Sequence, residues 1–132
     1  MGLSDAGDRQ LTFDMLAASS RADAADLRGC MEAFALKMSE ALPGKVKVER
    51  ESGLFSKNPR VRLIRIDLDD RRYELLQGKG GLECRQAHRV RDVILKTETV
   101  PIDEWIDTLS KHLVAHAEQS ARVRQVLQDM LR

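Results

Sequence analysis

The sequence predicts a two-layer α+β domain: an antiparallel meander sheet of four to five strands, flanked by an N-terminal helix and a long C-terminal helix. Three observations carry that expectation. The apolar period is near 3.6 over residues 21–41, switches to 2 between residues 45 and 98, and returns to 3.6 after Pro101. The joints between the period-2 segments are too short for anything but antiparallel neighbours. A sheet of that kind must bury one face, and the two helices are the elements available to cover it. The order expected is α-β-β-β-β-β-α, in a single domain spanning residues 1–132.

Residues 1–10 are polar and glycine-containing and read as a flexible start. A helical pattern begins at Leu11, and Ser19-Ser20 ahead of Asp23 resembles a break with a cap. The first clear helix has Leu27, Cys30, Met31, Phe34, Met38 and Leu42 on one side. Gly29 inside it marks either a close approach of another backbone or a tolerated cost of about 1 kcal/mol. Pro43-Gly44 ends the helix.

Residues 45–49 then alternate as a half-buried strand does, and residues 52–59 form a loop with an unusually apolar Leu54-Phe55 at its tip. Residues 60–63 and 64–68 alternate in opposite phases, which is the sequence trace of a β-bulge. Asp69-Asp70 is a tight turn, residues 72–77 are the next strand, and Gly78-Lys79-Gly80-Gly81 is a hairpin. Residues 82–87 and 90–98 complete the sheet.

From Pro101 the chain has no Gly and no further Pro. Ile106, Leu109, Leu113, His116, Ser120, Val123, Leu127 and Met130 follow in alternating steps of three and four, placing them on one helical stripe. Asp103, Glu104 and Asp107 complement the positive N-terminus. A helix of this length reaches roughly 45 Å, beyond the diameter of a small domain. Its first half, with Trp105, is expected on the sheet. Its far half, with Val123, Val126, Leu127 and Met130, is expected to pack on residues 11–20 or on a helix of another chain.

The composition, 42% hydrophobic and 33% charged, is that of a soluble globular chain. With 4% aromatics it lacks the stacking platforms that read single-stranded nucleic acid. No apolar run approaches the roughly 18 residues of a membrane span, and the N-terminus lacks a secretory pattern. Cys30 and Cys84 are expected to be reduced thiols, so the localisation expected is cytoplasmic.

Charge is segregated. Residues 1–44 carry four basic and seven acidic side chains, residues 45–96 fourteen and eight, and residues 97–132 four and six. The sheet is therefore basic between two acidic helices. With Val61, Leu63, Ile66 and Leu68 toward the helices, Arg60, Arg62, Arg65 and Arg72 fall on the opposite face, joined by Arg89 and Arg91. Such a face grips phosphates or an acidic protein, or else is a solvated surface laced with cross-strand ion pairs, the commoner case.

Candidate chemistry is sparse. His112 and His116 share a helical face and would need a third metal ligand from Glu104, Asp107, His88 or Cys84. A histidine on an apolar stripe is more often a packed residue than a ligand. Cys84 ahead of His88 lacks an orienting group, and the glycine-rich turn lacks both the spacing and the following helix of a phosphate loop. No cofactor is expected and no enzymatic activity.

Two stretches, KVKVERESGLFSKNPRVRLIRIDLDDRRYELL and VRDVILKTETVPIDEWIDTLSKHL, resemble a group of short bacterial proteins that carry no assigned function. The resemblance implies a shared fold and no activity or site. The function expected is a non-enzymatic interaction or adaptor domain that assembles through its terminal helices as a homodimer or with a partner protein. Polyanion binding by the arginine-rich face is the alternative.

Overall fold

The computed structural model describes residues 24–51, 59–78 and 81–131. The first helix, α1, covers Ala24–Ala41. Five strands follow: β1 (Val46–Arg50), β2 (Val61–Leu68), β3 (Arg71–Gly78), β4 (Gly81–Val90) and β5 (Val93–Val100). Helix α2, Ile102–Met130, closes the chain with 29 residues. The strands form one antiparallel sheet in the order β1-β2-β3-β4-β5, so the expected meander is present with all five strands. Expectations for residues 1–20, the side chain of Leu27 and the Leu54-Phe55 loop tip lie outside the described residues.

Helix α1 packs on β1 and β2, and α2 packs on β4. Cys30, Met31, Phe34, Met38 and Leu42 are the buried side of α1, as its period requires. Trp105, Leu109 and Leu113 are the buried side of α2. Between them lie Val61, Ile64, Ile66, Leu68, Tyr73, Leu75 and Cys84 from the sheet. The helix stop at Pro43-Gly44 is as expected: Gly44 takes φ +79°, and the Lys45 amide donates to the Leu42 carbonyl at 3.1 Å. Arg50 forks onto Glu32 and ties β1 to α1, its second nitrogen 3.0 Å from Oε2.

The phase slip in β2 is a bulge opposite β1. Arg50 faces Val61 and Glu49 faces Leu63, leaving Arg62 as the extra residue. This corrects the expected facing of Leu63. The bulge turns Val61 into the same core as Ile64, Ile66 and Leu68, while Leu63 pairs with Leu76 on the face away from the helices. A second correction concerns Val90, which ends β4 instead of beginning the last strand. The β4–β5 turn is Arg91-Asp92, both at positive φ (50° and 69°), a backbone that favours Asn or Gly.

The buried Cys84 thiol is pushed up to about 12 by burial, so it stays protonated and behaves as a small apolar side chain. Gly29 is exposed on α1, and a Cβ built there meets nothing within 4 Å. Close backbone approach is therefore not its reason. Gly29→Ala is expected to stabilise the fold by about 0.5–1 kcal/mol through helix propensity alone, read as a rise in the urea midpoint at unchanged slope.

Candidate interaction surface

The stripe along α2 is continuous in sequence but not in its surroundings. Leu109 and Leu113 are buried, His116 and Ser120 are half-buried, and everything from Ala121 to Leu131 is exposed. Val123 is 52% exposed, Val126 57%, Leu127 53%, Met130 76% and Leu131 87%. The helix thus runs past the sheet and carries its apolar stripe into solvent. Five large apolar side chains within three turns make a contiguous patch, which solvent-facing helices normally avoid. Arg122 and Arg124, on the same stretch of helix, are exposed as well.

The place where α2 leaves the sheet is fixed by polar contacts. The buried Tyr73 hydroxyl, from β3, lies 2.8 Å from His112 Nδ1. His112 Nε2 lies 2.9 Å from Asp69 Oδ2 in the β2–β3 turn. His116 Nδ1, one helical turn on, is 3.5 Å from Asp69 Oδ1. The Tyr73 hydroxyl and both ring nitrogens of His112 each meet a partner, with Nε2–H donating to the Asp69 carboxylate, so every polar atom of this relay is satisfied. Asp69 takes φ +55°, and that turn aims its carboxylate at both rings. Burial works to raise the Asp69 carboxyl, but the His112 hydrogen bond and the charges of His116 and His112 outweigh it, holding it below the ordinary 3.8. Burial pushes the Tyr73 phenol upward, which keeps it a hydrogen-bond donor.

The two histidines expected as a weak metal pair thus meet a carboxylate that is none of the four proposed. The groove beside them is lined by Asp70, Arg71, Asp107 and Lys111, a balanced set of charges. The sequence contained one usable signal for Asp69, its position in a two-residue turn, but nothing that linked it to residues 43 positions away.

The arginine-rich face is present, and most of its charge is spent within it. Arg62 pairs with Glu49 at 2.8 Å and Arg65 with Glu74 at 3.0 Å. Arg72 grips Asp67 at 2.7 and 3.1 Å, and Arg89 reaches the same carboxylate at 3.2 Å. Burial tends to raise Asp67, but the Arg72 hydrogen bond and the charges of Arg72 and Arg89 bring it below 3.8. Arg60 and Arg91 are exposed and make no ion pair among the described residues. Two free arginines on a face of otherwise paired charges are a weak attractor for a polyanion.

Two outcomes test the helix anchor. Tyr73→Phe removes the donor to His112 without changing shape, and is expected to cost about 1–2 kcal/mol in denaturant unfolding. Asp69 and Asp67 titrate below 3.8 in the folded state, so their contribution is complete above the unfolded value and is lost as pH falls through the folded one. The fold should therefore lose stability below about pH 4, and Asp69→Asn should flatten that decline while lowering stability at neutral pH. An unchanged acid slope in Asp69→Asn would show that the anchor contributes nothing.

Comparison with protein-family models, curated proteins and solved structures finds no match.

Proposed function

We propose that this chain is a non-enzymatic interaction domain that self-associates through the projecting half of α2. The observation that carries the reading is the exposed stripe of Val123, Leu127 and Met130, on the part of a 29-residue helix where burial has ended. Its alternating spacing of three and four is the spacing of a helix–helix seam. Val126 and Leu131 flank the stripe and widen it to the apolar width of a bundle interface. A second copy of the same helix supplies a matching stripe at no further requirement, and two-fold pairing is the commonest oligomer geometry. Anchoring by Tyr73, His112 and Asp69 supports the same reading, because a seam presented on a fixed helix loses less freedom on pairing.

Polyanion binding by the sheet draws less support, since Arg62, Arg65, Arg72 and Arg89 already hold carboxylates. The test is light scattering behind a sizing column, on the full chain and on Leu127→Glu. Self-association that rises with concentration and loses one pairing step in the variant supports the proposal. An identical mass distribution for the two chains overturns it.

A further inference from the structure

Strand β1 is an edge of the sheet, and the hydrogen bonds on its inner side determine which groups it offers on its outer side. The Asp67 amide donates to the Lys45 carbonyl and the Glu51 amide to the Arg60 carbonyl, both at 2.9 Å. Backbone groups alternate in direction along an antiparallel strand, so Lys45, Lys47, Glu49 and Glu51 turn theirs toward β2. Val46, Val48 and Arg50 turn theirs outward, and among the described residues none of those amides or carbonyls has a hydrogen-bond partner. The bulge opposite belongs to β2, where Arg62 is the extra residue, so β1 itself alternates without a break from Val46 to Arg50. A regular edge of free amides and carbonyls is the template for adding another strand.

The helix beside this edge points to a second copy of the chain as the occupant. A groove runs along β1, lined by Ala33, Leu36 and Ser39 of α1 and by Val48, and Leu36 is 59% exposed. Helix α1 rests over β1 and β2 alike. With neighbouring strands about 4.8 Å apart, two-fold pairing of β1 edges sets the two α1 axes about 10 Å apart, the separation of packed helices. The second α1 thus fills the groove and covers Leu36. Charge then selects the register. Lys47, 64% exposed, and Glu49 lie 3.6 Å apart on the face away from α1. Directly opposed residues share a face, so the pairing is centred on one residue and its copy. Centring on Lys47 opposes the two lysines, centring on Glu49 the two glutamates, and centring on Val46 sets Lys47 against Lys45. Centring on Val48 sets each Lys47 against a Glu49 and lets Val46, Val48 and Arg50 use their outward groups. Val48 is also the middle of the strand, so all five residues pair.

We infer that β1 pairs antiparallel with β1 of a second copy, centred on Val48, so that the two sheets run on as one and the two α1 helices lie side by side. The pairing satisfies the outward backbone groups of both strands and adds two cross-strand Lys47–Glu49 pairs. It shares no residue with the α2 seam and does not rest on that reading.

The test uses full chains carrying Leu127→Glu, so that the seam cannot contribute. Lys47→Glu sets Glu against Glu on both sides of the axis, and Glu49→Lys sets Lys against Lys. The ion pairs these side chains make within one chain are partly exposed and contribute little to folding, as unchanged circular dichroism would verify. The Leu127→Glu chain should dimerise, and each charge reversal should weaken that dimer by about tenfold or more. An equimolar mixture of the two reversed chains should recover the dimer, because every pair in the mixed species is Lys against Glu. The Val48 amide, free in the single chain, should exchange its hydrogen more slowly in the dimer. A Leu127→Glu chain that stays monomeric at all concentrations overturns the inference. So does a mixture that associates no better than its components, or a Val48 amide that exchanges equally fast in dimer and monomer.

Discussion

The structure depends on one junction, at Trp105. Its ring centre lies 5.8 Å from Phe34 of α1 and 6.3 Å, edge-on, from Tyr73 of β3. Its indole N–H donates to the Arg85 carbonyl of β4 at 3.1 Å. A single side chain therefore joins both helices to the sheet, with tilted and edge-to-face geometries that add to the burial of its large apolar surface. In a chain with 4% aromatic residues, little else is large enough to fill that space. Leu109 and Leu113 extend the contact along α2, but they repeat what Trp105 establishes.

Tyr73 carries the effect outward. One edge of its ring meets Trp105, and its hydroxyl reaches His112. The ring of His112 also lies against it, centres 5.8 Å apart. The packed core and the polar anchor of α2 are thus two ends of one side chain. A shift of Trp105 would move the donor that holds His112, and with it the direction in which the helix leaves the sheet. The exposed half of α2 is aimed by residues more than a turn upstream of it.

Much of this was legible in the sequence, and the failures have local causes. Helix and strand periods depend only on neighbouring residues, so the α-β-β-β-β-β-α order and the buried sides of both helices could be read directly. The bulge showed as a change of phase, yet phase alone does not say which alternation faces the core, and Leu63 was placed on the wrong side. The Arg91-Asp92 turn was hidden because neither residue is the glycine or asparagine such a backbone favours. The Asp69 anchor joins segments far apart in sequence, and no periodicity encodes that. The end of burial after Ser120 was suggested by helix length, since the stripe itself continues unchanged.

Burial along the α2 stripe ends at Ser120, and the anchor at His112 and His116 fixes the helix within two turns of that point. If the exposed part of the stripe pairs with a second copy, as proposed, the same patch serves both partners, and the contact closes as a two-fold dimer. Such a seam would be held by apolar burial, whereas the arginine-rich face of the sheet is held together by partly exposed ion pairs. An excluded salt such as sulfate strengthens burial and screens ion pairs, so it would tighten the seam while loosening the links across the sheet.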